Sequence, residues 1–183
     1  MNLHLLKRKK TLAGLFIGAS IALLGTAVVA NPFVLDWRVI GFGTVTGTCE
    51  LSFGAGCTST STGAAQGTHI GSGTYNLSLT TGTDTGSPGN SSGGKCFPAD
   101  GLSNGVVNAI TAADGSAINF NTVGWLCEEG SQGSPYHYNG TYRVASGTGR
   151  FSTVTGGGSL TATFEKGGLT NNTYLKVDGT INF

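Results

Sequence analysis

From Trp37 onward, two-residue alternation of apolar and polar residues appears repeatedly and no 3.6-residue apolar period of helical length is found, which predicts a nearly all-β domain. In Tyr136-His137-Tyr138-Asn139-Gly140-Thr141-Tyr142-Arg143-Val144 the even positions are aromatic or apolar and the odd ones polar. Such a strand has one buried face and one wet face. The same alternation puts Ile118, Phe120 and Leu126 on one face, then Leu160, Ala162 and Phe164, then Leu175, Val177, Ile181 and Phe183. Further strands are predicted near 37–47, 49–54, 68–80 and 106–112, with turns at Ala113-Asp114-Gly115-Ser116 and Gly156-Gly157-Gly158.

Two segments break the rhythm. Thr58 to Gln66 and Gly82 to Lys95 are small and polar with no apolar anchor, and are expected to be mobile loops. A Gly-Thr pair recurs in GTYNL from Gly73, GTYRV from Gly140 and GTINF from Gly179 at unequal spacing, so glycine marks bends in a sharply curved sheet rather than a repeat. The expected fold is all-β, a single antiparallel barrel of about eight strands, because closure removes exposed edges without a second layer.

The first thirty residues differ from the rest: Lys7, Arg8, Lys9 and Lys10 precede an apolar run from Leu12 to Val29, and Val28 and Ala30 suit a signal peptidase. Residues 1–30 are expected to be a signal peptide and 31–183 the barrel domain. An uncleaved anchor is the alternative, since the run is 18 residues long. The leader takes four of the ten basic residues and none of the nine acidic ones, leaving the exported part at a net −3. No basic stripe remains, which argues against a nucleic-acid partner. The protein is expected to be secreted, to periplasm or medium, with no membrane attachment after cleavage.

Export also explains the cysteines. Cys49, Cys57, Cys96 and Cys127 all lie in the exported part, where disulfides form. Pairing Cys49 with Cys57 and Cys96 with Cys127 ties each loop to a nearby strand end and is preferred among three pairings. Metal binding is not expected, since there is no C-x-x-C pair and only His69 and His137 remain to help. No cofactor is expected either.

Catalytic motifs are weak. Gly89 to Cys96, GNSSGGKC, comes one residue short of a phosphate-binding loop, but Phe97-Pro98-Ala99-Asp100-Gly101 cannot begin the helix whose N–H groups would hold phosphate. Gly101-Leu102-Ser103-Asn104-Gly105 has nucleophile-elbow spacing, yet Val106 to Ile110 is strand-like where a helix is required. Glu128 and Glu129 close a strand; Glu128 is the candidate acid at a barrel mouth, against the plainer reading of a solvated turn acid. Arg143 and Arg150 are expected to be solvated. Sequons stand at Asn76, Asn90, Asn139 and Asn171.

Thr68-His69-Ile70-Gly71, Ile110 to Ser116, Tyr142 to Gly158 and Asp178-Gly179-Thr180-Ile181-Asn182-Phe183 resemble the allene oxide cyclase and dirigent type of barrel, especially its small secreted bacterial members. The resemblance covers roughly Trp37 to Phe183. It implies an eight-stranded antiparallel barrel whose interior holds an apolar or aromatic molecule, in some members steering a cyclisation or coupling. No catalytic residue of the family can be matched here, and the cysteines and the 82–95 loop depart from its pattern.

Three functions follow as expectations. The first is a lumen that binds a small apolar or aromatic ligand through Tyr75, Phe120, Tyr138 and Tyr142. The second is a cyclase or isomerase working by confinement in the same lumen, with Glu128 and tyrosine hydroxyls. The third is a self-associating surface or matrix protein, a homo-oligomer favoured by only 15 charged residues among the 153 of the exported part.

Overall fold

The computed structural model describes residues 34–47, 55–83, 94–101, 107–129, 135–165 and 172–183. The leader, the strand expected at 49–54 and most of the 82–95 loop lie outside them. The strands are β1 (Val34–Gly47), β2 (Thr58–Gly67), β3 (Gly71–Thr81), β4 (Cys96–Asp100), β5 (Asn108–Ala112), β6 (Ala117–Glu128), β7 (Tyr136–Gly147), β8 (Thr155–Glu165) and β9 (Asn172–Asn182). Among the described residues there is no α-helix, only a short 3-10 turn at Gly149–Phe151.

Every pairing is antiparallel, and β1 meets both β2 and β9, so the sheet closes. β4 and β5 occupy one position in line: both lie between β3 and β6, β5 against Gly73–Asn76 and β4 against Thr80–Thr81. Nine segments thus make a closed eight-stranded barrel with one additional strand, as the alternation predicts. Following the register from Glu128 through Tyr136, Phe164, Thr173, Gly43, Gly63, Tyr75 and Ile110 returns to β6 at Ile118, ten residues from the start. A stagger of this kind requires strands tilted by roughly 40°.

Where β4 gives way to β5, Asn108 supplies what the broken ladder lacks. Its Oδ1 accepts from the Ser78 amide at 2.6 Å and its Nδ2 donates to the Gly101 carbonyl at 3.3 Å. Without it, two buried backbone groups would lose their partners.

Two sequence expectations are corrected. Residues 58–66 are not a mobile loop but belong to β2, paired along its length with β1 and β3. The segment reads as a loop because its core-facing residues, Ser59, Ser61, Gly63 and Ala65, are small. Ser59 and Ser61 are nonetheless buried, and the Tyr75 ring of neighbouring β3 reaches Ser61 with its hydroxyl. Gly156-Gly157-Gly158 is not a turn but opens β8: a Cβ on Gly158 would stand 2.6 Å from the Gly179 Cα of the neighbouring strand. The chain reverses earlier, through 148–154. The predicted turn at 113–116 is present, with Gly115 at φ 83°, a conformation favouring glycine.

The barrel has two unlike ends. The β2–β3, β5–β6 and β7–β8 connections are short and gather at one, the turn end; the strand ends leading into the β1–β2, β3–β4, β6–β7 and β8–β9 connections lie at the opposite, loop end, and the β4–β5 connection interrupts the wall between them. The Cys96–Cys127 disulfide joins β4 to β6 at the loop end, and Cys57 there is also disulfide-bonded. Cys49, its expected partner, lies outside the described residues.

Candidate functional site

Strand alternation places Tyr75, Phe120, Tyr138 and Tyr142 on the core face, and all four are buried. Each meets a partner inside the barrel. The Tyr75 hydroxyl lies 2.9 Å from Ser61 Oγ, and that of Tyr138 lies 2.8 Å from Thr122 Oγ1. Tyr142 meets Trp37 edge-on with centroids 5.6 Å apart, and Phe120 at 6.0 Å. With Leu77, Ile110, Leu160 and Val177 these rings form one continuous core.

The rings fit because glycine stands beneath them. A Cβ on Gly41 would lie 2.7 Å from Tyr75 Cδ1, and one on Gly179 would lie 2.5 Å from the Tyr142 hydroxyl. A Cβ on Gly140 would collide with the Tyr138 hydroxyl. Two of the three Gly-Thr pairs in the sequence therefore mark tyrosine seats. Burial pushes the Tyr75 hydroxyl up, that of Tyr138 to about 12, and that of Tyr142 further still with help from the negative charge of Asp178. Near neutral pH these are neutral hydrogen-bonding groups, not bases. Among the described residues, the Tyr142 hydroxyl and Trp37 Nε1 are buried here without a hydrogen-bond partner.

The turn end is bridged by Arg150. Its guanidinium donates to Asp114 Oδ2 at 2.9 Å and to the carbonyls of His69 and Ile70 at 3.1 and 3.3 Å, and lies 4.8 Å from the centroid of the Phe151 ring. Arg150 is exposed, as expected, and its one side chain also links all three short connections. Asp114 is held below its ordinary value, first by the Ser116 amide and later by Arg150.

At the loop end the two adjacent acids part. Glu128 ends β6 on the core face and is buried; Glu129 is exposed and pairs with His137 Nε2. They do not meet on one site, because Glu128 is buried on the core face while Glu129, just past the end of β6, is exposed beside His137. His137 Nδ1 lies 3.2 Å from Thr163 Oγ1, completing an acid, imidazole and hydroxyl row on the outer wall. The backbone donors of the adjoining ladder residues are committed to the β6–β7–β8 pairing, so among the described residues these do not converge on an oxyanion.

The same outer row continues across the sheet. Thr163 faces Tyr174, Tyr174 faces Phe42, and Phe42 faces Ala64. Phe42 and Tyr174 are 52% and 46% exposed with ring centroids 5.2 Å apart, and Ile40 beside them is 60% exposed. A groove of about 470 Å³ runs along this wall, lined by Ile40, Phe42, Ala64, Gln66, Ser72 and Gly73 among others. The nearest charges are engaged with one another: Asp178 accepts from Lys176 Nζ at 2.6 Å and from Arg38 Nε at 2.7 Å. Those two contacts hold the Asp178 carboxyl below its ordinary value.

The nucleotide-like loop does not survive. Cys96, in its final position, is in a disulfide and begins a strand. Gly89–Gly93 and Ser103 of the elbow-like motif lie outside the described residues. Among the described residues no three potential metal ligands come together, and no helix is long and apolar enough to cross a membrane. No protein-family model matches the chain, and no curated protein is significantly similar to it. The barrel agrees with the architecture that the allene oxide cyclase and dirigent resemblance implies, but many unrelated activities share such barrels, so membership does not follow.

Proposed function

We propose that this chain is an exported, disulfide-braced barrel that works through its outer wall, as a non-catalytic binding or matrix protein. One contrast carries the reading: the four aromatic residues of the lumen are engaged with the barrel's own side chains, whereas Phe42, Tyr174 and Ile40 stand exposed beside a groove. Exposed apolar groups gathered on one face mark interaction sites more often than scattered ones do. The Cys96–Cys127 bridge is compatible with export.

The test is cosedimentation of the exported protein with washed cells of its host. The protein and a Phe120→Leu lumen variant are expected to bind, and a folded Phe42→Ala/Tyr174→Ala variant is expected to stay in solution. Equal binding by the wall variant, or loss of binding by the folded lumen variant alone, would overturn the proposal.

A second reading keeps a small apolar or aromatic ligand, or confinement catalysis of the cyclase kind, at the loop end. The buried carboxylate of Glu128, in register with Tyr136, is what favours it. Under that reading Glu128→Gln abolishes turnover or ligand uptake while leaving attachment to cells unchanged.

A further inference from the structure

The outer wall has a specific chemistry. We infer that the face built from Phe42, Tyr174 and Ile40, with its adjoining groove, is a binding site for a neutral polysaccharide chain; this rests on the outer-wall reading above. A pyranose ring offers an apolar C–H face and a rim of hydroxyls, so its complement is an exposed aromatic ring bordered by uncharged hydrogen-bonding groups. Phe42 and Tyr174 are the rings, half-exposed, in register on adjacent strands and tilted 54° to each other. Their 5.2 Å centroid spacing is comparable to the advance of one sugar unit along an extended glycan. Gln66 and Ser72 line the groove with amide and hydroxyl, and Thr44 and Thr62 continue the exposed rim on β1 and β2.

Charge and area choose among occupants. Asp178 accepts from both Arg38 and Lys176, so among the described residues the charges beside this face sum to a single surplus positive charge, short of the basic cluster that a phosphate or sulfate polymer would call for. An aromatic side chain carries roughly 150–250 Å², so the half-exposed Phe42 and Tyr174 with Ile40 present on the order of 300 Å² of apolar surface. A stable dimer needs about 800 Å² from each partner. The face is too small for the apolar core of an obligate dimer, and the groove is within the range of about 300–1,000 Å³ usual for small-ligand clefts.

The test is affinity electrophoresis of the exported protein in gels containing soluble neutral polysaccharides (a mixed-linkage β-glucan, a xylan, a mannan, glycol chitin), with sedimentation velocity alongside. At least one polymer is expected to retard the protein at both low and high salt. Phe42→Ala and Tyr174→Ala should each weaken that retardation roughly tenfold, the loss of about 1.4 kcal/mol expected for one stacked ring. Val123→Ala, at an exposed position on β6, should leave it unchanged. Three outcomes overturn the inference: no polymer retards the protein, retardation vanishes with salt, or the ring variants are retarded like the parent. If these occur while the ring variants still lose attachment to cells or change the sedimentation coefficient, only the glycan is wrong and the wall stands as a protein or self-association surface. If attachment is also unaffected, the outer-wall reading falls with it.

Discussion

Gly41→Ala adds one methyl group to the barrel interior and asks whether the lumen has room for it. The new Cβ would lie 2.7 and 2.8 Å from two ring carbons of Tyr75 and 3.2 Å from Leu175 Cβ. Carbon atoms settle at about 3.5–4.0 Å, so the ring would have to retreat by roughly 0.8 Å. Tyr75 has little freedom to do so, being 3% exposed and held by Ser61 at 2.9 Å. Overpacking of this kind costs about 1–3 kcal/mol. Replacing glycine by alanine in a strand otherwise gains about 0.5–1 kcal/mol from the unfolded chain. The net is a loss centred on about 1 kcal/mol and at most about 2.5 kcal/mol, or a urea midpoint lower by roughly 0.5 M. Urea unfolding followed by the fluorescence of buried Trp37 reads this directly. In a Tyr75→Leu background the collision disappears, and Gly41→Ala should become neutral or stabilising, a coupling of about 1–3 kcal/mol. If Gly41→Ala is neutral or stabilising with Tyr75 present, the ring is not seated on Gly41 and the filled-lumen account fails.

Other consequences are equally open to measurement. Asn108→Ala leaves the Ser78 amide and the Gly101 carbonyl without their side-chain partner, and should cost about 2–4 kcal/mol in the same urea assay, the sum of two lost buried hydrogen bonds; a loss below about 0.5 kcal/mol would mean the strand break is not held by this residue. Replacing Cys96 and Cys127 by serine opens a link of sequence separation 31 and should lower stability by roughly 3–4 kcal/mol in the loop-entropy picture; an unchanged midpoint would contradict it. The core tyrosines set an alkaline limit: with folded values above the ordinary 10.0, the unfolded chain releases protons first, so stability is intact below pH 10 and declines above it. Tyrosinate absorbance in an alkaline titration should therefore show three tyrosines ionising together with unfolding; reversible ionisation of all five in the folded protein would show the hydroxyls to be wet.

Period-two alternation was enough to place β7, β9 and the first part of β6, and to turn Tyr138, Tyr142 and Phe120 inward, because in those strands apolar and polar residues separate cleanly. It failed at β2 for a physical reason. A strand opposite large rings needs small partners, and Ser61 meets Tyr75 with a hydroxyl where a hydropathy pattern looks for a methyl. It failed at Gly156–Gly158 because glycine is read as a turn former, while here it permits the close approach of β8 and β9.

The exposed wall was not legible at all. Phe42 and Tyr174 are far apart in the chain and become neighbours only through the closure of β1 on β9, which is a matter of register and not of composition. Arg150 was equally hidden, since its partners Asp114, His69 and Ile70 lie on two other turns. The opposite fates of Glu128 and Glu129 could have been inferred once β6 was extended to its last residue.

The central claim is that the barrel fills its own lumen and binds through its wall. Mass spectrometry of the protein purified from its own host, under native and then denaturing non-reducing conditions, tests it most directly. The account predicts that the Phe42→Ala/Tyr174→Ala protein carries no passenger in either spectrum. A small apolar or aromatic molecule that stays with this variant under native conditions and is released on denaturation would contradict it, and would place the function inside the barrel.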